Sequence, residues 1–246
     1  NRGAFAGGVD ELSIYDTALD SSAVAGLYAA VTAVPTTAPM PTAAPQIAPT
    51  ASDPLVARYA FSNGLAAEDS DMYLDGTVYG ANVTAGRDGG DALAFYDSDA
   101  YVEFPAAVTA SLTGDASRTI CLWLKLGNIS TSNGAIFSYG TSYGNDAENG
   151  MFALETLSNG THFGVDFLSE YYDAEVTIGA AGDLKWHHFC LSYEYPAWVL
   201  YFDGAEAASG NAPLNTGSSN ALRVGAHPNR GAFAGGVDEL SIYDTA

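Results

Sequence analysis

Positive charge is scarce in this 246-residue chain: eight Lys and Arg stand against 29 Asp and Glu, Lys125 and Lys185 are the only lysines, and the net charge is −21. Such a surface repels the phosphates of nucleic acid and the headgroups of anionic lipid, so neither is an expected partner. Cysteine is almost missing, and two lone thiols, Cys121 and Cys190, by themselves indicate little. No apolar run approaches the ~20 residues a spanning helix needs, so no membrane insertion is expected. No charged-then-apolar leader opens the chain either. Apolar residues are plentiful at 48%, enough to bury a core and to set aside wholesale disorder. The acidity suits cations, and salt or Ca²⁺ relieves it. Three sequons, at Asn82, Asn128 and Asn159, fit N-glycosylation and point, with the charge, to an extracellular or cell-surface protein.

The strongest sequence feature is a repetition. Asn1–Ala18 and Asn229–Ala246 are identical, NRGAFAGGVDELSIYDTA, at an offset of 228 residues. Drift that preserved a fold would keep the buried Val, Leu and Ile and scatter the tolerant positions, yet here Ala4, Ser13 and Thr17 agree with their counterparts too. The chain therefore reads as a window a little over one period long, cut from a tandem array.

The repeated segment predicts a strand over residues 9–15, with Leu12 and Ile14 alternating with Glu11, Ser13 and Tyr15. A short helix should follow, capped by Asp20 or Ser21, with Val24, Leu27 and Tyr28 on one face. From Pro35 to Pro54, six of twenty residues are proline, and the rest are mostly Ala and Thr. Such a segment is a flexible linker or a polyproline II spacer reaching roughly 60 Å, with Thr36, Thr37, Thr42 and Thr50 as possible O-glycosylation sites if it forms a rod. Beyond Leu55 the pattern is β throughout, with short alternating runs punctuated by Gly, Asn and Asp. Many short strands without a second helix predict a sandwich or jelly roll. Three regions follow: 1–34 as the closing strand and helix of a preceding repeat, 35–54 as linker, and 55–246 as a sandwich lacking its final helix.

An ordered series of residues resembles the laminin-G-like and pentraxin-like group of concanavalin A-type sandwiches. It runs from Leu55–Phe61 with Asn63-Gly64, Asp69-Ser70 and Asp75-Gly76-Thr77 through Gly86-Arg-Asp-Gly89, Tyr101–Pro105 and Arg118–Lys125. Ala135–Tyr139, Trp186–Cys190, Tyr201–Gly204 and Phe233–Tyr243 continue it. The resemblance implies an all-β antiparallel jelly-roll sandwich whose last strand is followed by a short helix. It also implies that Cys121 and Cys190 match the single disulfide of pentraxins, and that a structural Ca²⁺ lies between Asp69 and Asp238 with Asp75 as a further ligand. Ca²⁺ needs six to eight oxygens; Asp69 and Asp75 as turn formers bonded to their own backbone are the alternative. The acidic loop with which pentraxins hold their ligand-binding Ca²⁺ pair should fall between Val224 and Gly235. No carboxylate occurs there, which leaves phosphocholine-type recognition without support.

Catalytic signals are weak. A glycosidase needs two facing carboxylates, and the nearest cluster, Glu170 with Asp173 and Glu175, divides between opposite faces of a strand. His187 and His188, being adjacent in a strand, point apart and read as packing residues; Trp123, Trp186 and Trp198 lie among apolar neighbours. The expectation is a non-enzymatic structural repeat of an extracellular filament, appendage or matrix layer, whose partners are neighbouring copies. The alternative is a Ca²⁺-dependent, lectin-like glycan-binding adhesion module. If residues 1–28 fold back onto the chain's own sandwich, that counts against the continuous array.

Overall fold

The computed structural model describes residues 10–15, 21–22, 24–25, 54–62, 64, 66–68, 74–97, 99–127, 134–141, 149–157, 162–169, 171–227 and 233–246. Their strands are, in chain order, β1 (Asp10–Tyr15), β2 (Leu55–Tyr59), β3 (Thr77–Tyr79), β4 (Asn82–Ala85), β5 (Asp91–Phe95), β6 (Tyr101–Glu103), β7 (Arg118–Leu126) and β8 (Gly134–Gly140). Then come β9 (Met151–Thr156), β10 (His162–Asp166), β11 (Ala174–Thr177), β12 (Trp186–Glu194), β13 (Ala197–Phe202), β14 (Ala205–Asn211), β15 (Asn220–Val224) and β16 (Gly235–Tyr243).

Nine strands form one sheet, β14-β13-β12-β7 leading through β16, β1 and β2 to β5-β4; seven form the other, β11-β10-β9-β8-β15-β6-β3. Period-2 alternation explains why they stack. Ile120, Leu122, Leu124 and Leu126 of β7 and Phe189, Leu191 and Tyr193 of β12 all point inward, where they join Phe152 and Leu154 of β9 and Phe163 and Val165 of β10 in one core. This is the antiparallel sandwich that the strand pattern predicts.

One charge lies in that core. Arg118 is fully buried, and its guanidinium donates to the carbonyls of Leu112, Gly114 and Ala116 at 2.6–2.9 Å and to the Tyr139 hydroxyl at 2.9 Å. It also lies over the rings of Phe152 and Tyr193. Backbone carbonyls thus replace water around a cation whose burial would otherwise be costly.

The repeated segment occupies the middle of the nine-stranded sheet. Gly235, Gly236 and Val237 of β16 pair with β5 on one side and with β7 on the other; beyond a register shift, Ser241–Tyr243 pair with Cys121–Thr119. β1 lies parallel to β16 and in register with it, Asp10 beside Asp238 through Tyr15 beside Tyr243. Of the residues after the first copy, Ser21, Ser22, Val24 and Ala25 are helical, and the fully buried Val24 clusters with Cys121, Cys190 and Tyr201. The proline-rich stretch, with Thr36, Thr37, Thr42 and Thr50, lies outside the described residues.

Candidate functional site

In β9, β10 and β11 the inward positions are Phe152, Leu154, Phe163, Val165 and Val176, so alternation turns Glu155, Gly164, Asp166 and Glu175 to the outer face. Register aligns them: Gly164 stands opposite Glu155 on one side and Glu175 on the other. With no side chain at Gly164, the row has a trough at its centre. The result is a groove of about 250 Å³ lined by Glu155, Leu157, Gly164, Asp166, Asp173 and Glu175 among others. Glu155 and Asp166 are each only 4% exposed, whereas the Glu175 side chain is 62% exposed and lies 3.8 Å from His162. The far wall is a tied turn. Asp173 Oδ1 accepts from the backbone N–H of Phe167 (2.8 Å) and of Ser169 (3.1 Å), and Asp166 Oδ1 accepts from Leu168 N–H (2.7 Å), with Leu168 at φ 60°.

The same outer face carries an aromatic platform at its other end. Tyr79 and Tyr101, paired across β3 and β6, stack with centroids 4.6 Å apart, and Tyr79 is 41% exposed. The Arg223 guanidinium lies 4.4 Å from the centre of the Tyr101 ring, and its Nε donates to Glu103 at 2.7 Å. Stacked tyrosines beside carboxylates and a guanidinium offer both the apolar plane and the hydrogen-bonding groups that a sugar ring uses.

A family model described as the concanavalin A-like lectin/glucanases superfamily matches residues 96–246. The chain belongs to that superfamily. Two solved structures, an arabinanase domain and a sialidase, agree in fold. Domain 4 of the extracellular arabinanase AbnA from Geobacillus stearothermophilus, solved with arabinotriose, is 19% identical, with a TM-score of 0.52 over 73% of this chain and 86% of that one. The Trypanosoma rangeli sialidase is 18% identical at a TM-score of 0.53, over 89% of this chain and 34% of the sialidase. Domains LG4-5 of the mouse laminin α1 chain are 21% identical at 0.32, over 45% and 28%. No curated protein matches the chain in sequence.

In this concanavalin A-like sandwich the cysteines meet as the resemblance implies. Cys121 and Cys190 face each other across β7 and β12 and are bonded. Of the implied Ca²⁺ ligands, Asp75 and Asp238 fall among the described residues. Asp69 lies outside them and Asp75 is exposed. Asp238 is buried: its Oδ2 accepts from Arg87 N–H at 2.9 Å, and its Oδ1 has no hydrogen-bond partner. The neighbouring Glu239 is held by Arg87 Nη2 at 2.7 Å. Asp238 Oδ1 is thus a buried acceptor without a partner, next to the Arg87–Glu239 ion pair. Of the three sequons, Asn82 is exposed on β4, an edge strand where a glycan has room; Asn128 and Asn159 lie outside the described residues.

The histidines diverge as strand neighbours should. His187 bridges Asp203 (Nδ1, 2.8 Å) and Asp183 (Nε2, 2.9 Å); burial works against its protonated form, but the two carboxylates outweigh burial and raise its pKa. His188 points to the other face, beside Trp123. Burial pulls it down to about 4, with Asp203 opposing and Arg87 reinforcing. Trp123 and Trp198 are each 4% exposed and serve packing, as expected.

Sequence reasoning singled out neither Glu155 nor Asp166. Glu155 is the penultimate residue of MFALET and Asp166 the last of HFGVD, strands of mostly apolar composition. A carboxylate on the outward phase of such a strand was the available signal, but the cross-strand register that gathers the acids was not. Glu170 lies outside the described residues, while Asp173 and Glu175 share the groove.

Proposed function

We propose that this sandwich is a glycan-binding module whose ligand sits in the acidic groove on the outer face of the seven-stranded sheet. The observation that carries the reading is the groove itself, a trough over Gly164 flanked by Glu155, Asp166, Asp173 and Glu175. Carboxyl oxygens accept hydrogen bonds from the hydroxyl donors of a sugar, and a row of acidic residues disfavours an anionic one. The expected ligand is therefore a neutral glycan. That a domain of the same fold has been solved with arabinotriose supports the class of ligand. A structural-repeat role rests on the duplicated segment alone, so glycan binding takes precedence.

An extracellular location belongs to this proposal. It is supported by the exposed sequon at Asn82. So does a Ca²⁺ requirement involving Asp69, Asp75 and Asp238, resting on the orphaned Asp238 Oδ1.

A glycan array run with Ca²⁺ and with chelator should show binding to neutral glycans and none to sialylated ones; silence in both conditions sinks the reading. For the best neutral ligand, titration calorimetry should give at least about tenfold weaker binding for Glu155→Gln, which loses acceptor strength, and for Gly164→Val, which fills the trough.

Hydrolysis is a second reading, favoured by Glu155 and Glu175 flanking Gly164. Two strand spacings put them about 10 Å apart at the backbone, near the carboxyl separation of inverting glycosidases. Release of reducing ends from a bound neutral polysaccharide, abolished by Glu155→Gln, would replace the binding-only reading.

A further inference from the structure

The edge of β7 that faces away from β12 has one set of partners and two occupants. Ser241, Ile242 and Tyr243 stand opposite Cys121, Ile120 and Thr119. Ser13, Ile14 and Tyr15 stand opposite the same three residues. The other flank agrees: β2 meets Ser13 at Arg58 and Leu240 at Tyr59, which is one register written from two copies. A strand hydrogen-bonds one neighbour along each edge at a spacing of about 4.8 Å, and the second edge of β7 belongs to β12. The slot therefore holds one strand, and the identical sequences of the two copies supply the same pairing code for it.

We infer that β1 and β16 are alternative occupants of a single closing-strand slot between β7 and β2, and that the copy left out is a donor strand for the slot of a second copy of this chain. This goes beyond the glycan reading and does not depend on it. Two further observations bear on it. The first copy runs on into helical residues whose Val24 is fully buried against the disulfide and Tyr201, so occupancy by the first copy carries its own cover for that face. Loop-closure entropy grows only slowly with length, so the long connection from residue 15 to β2 handicaps the first copy by less than about tenfold against the short one entering β16. Among the described residues β16 also pairs Gly235–Asp238 with β7 and Gly235–Val237 with β5, pairings that the first copy would have to make with the identical residues of its own sequence. Transfer of the spare strand to another molecule exchanges like hydrogen bonds for like, which makes it a matter of concentration rather than of new contacts.

The test uses the full chain and disables one copy at a time. Ile242 is fully buried and Ile14 takes its place in the register, so Ile14→Asp and Ile242→Asp each remove one candidate strand. Each single variant should keep a cooperative thermal transition, and the double variant should lose it. If Ile242→Asp alone unfolds the chain, or Ile14→Asp alone does, only one copy fits the slot and the inference fails. A second measurement addresses the donor role. Tagged double variant refolded with untagged wild type should be recovered as a folded one-to-one complex, because wild type has a spare strand. Refolded with Ile14→Asp, whose remaining copy is used internally, recovery should fall at least about fivefold. Equal recovery with both, or none with wild type, overturns the donor role.

Discussion

At the centre of β7 and β12 the outward-pointing residues Thr119, Cys121, Trp123, His188, Cys190 and Ser192 are none of them more than 4% exposed. On β9, β10 and β11 the outward positions include Glu155, Gly164, Asp166 and Glu175; Glu155 and Asp166 are buried as deeply, but beside them a groove opens that the exposed Glu175 borders. Both faces come from the same alternation. The first is covered: Arg87 lies over Trp123, Thr119 bonds to Ser192 and to the carbonyl of Thr245, and Val24 sits on the disulfide. The second gathers carboxylates around a glycine. A sheet face that must hold together closes with a covalent bond and rings, and a face left for a ligand keeps a trough and hydrogen-bonding groups. The contrast predicts that substitutions on the nine-stranded face cost stability and that those on the seven-stranded face cost binding.

Breaking the disulfide is the severest test of the covered face. Cys121 and Cys190 are separated by 69 residues, so their bond removes about 4 kcal/mol of chain entropy from the unfolded state. Replacing both with Ala should lower the unfolding free energy by about that amount in urea titrations. Neutral-glycan affinity, measured where the variant is still folded, should stay within about twofold. Coupled loss of both would mean that the faces are not independent.

Acid should strike the same face next. His188 is buried and held at about 4, against about 6.5 for an unfolded histidine. As pH falls from 6.5 toward 4 the unfolded chain takes up a proton that the folded chain refuses, so stability is lost over that window, by about 3 kcal/mol for this group. His187 runs the other way: its raised pKa contributes stability that is complete below 6.5 and lost as pH rises through the folded value. His188→Gln should therefore lose less stability than wild type between pH 7.5 and 4.5. Parallel pH curves for the two proteins would place His188 in contact with solvent.

The sandwich, its antiparallel character and the strands at its centre were legible because those strands alternate strongly, as in Arg118–Leu126 and Trp186–Glu194. Strands with little such alternation, β3, β4, β11 and β14, are the edges of the two sheets. An edge strand carries polar residues such as the Glu, Ser and Asn of AEAASGN, which leaves little apolar phase to read. The groove was hidden for a related reason. Each acid is visible in its own strand, but what brings Glu155 beside Glu175 is register across a third strand, and register is a tertiary quantity. The disulfide pairing came through resemblance and not through spacing. The duplication was plain in the sequence, whereas the sharing of one slot needed the pairing on both flanks of β16.

The mildest expected effect falls at the boundary between the two kinds of face. Asp173 lines the groove, yet its Oδ1 also holds the amides of Phe167 and Ser169 and so ties down the turn leading into β11. Asp173→Ala leaves two partly buried donors to find water, a cost of about 1 kcal/mol in a turn that solvent reaches. Asn keeps one acceptor oxygen and should recover most of it. If the turn positions the groove, the Ala variant should exchange the Phe167 and Ser169 amide hydrogens faster and bind the neutral glycan more weakly, and the Asn variant should restore both together. Restored exchange without restored binding would instead make the Asp173 charge itself part of the ligand contact. Either result separates what the turn does for the fold from what the carboxylate does for the sugar.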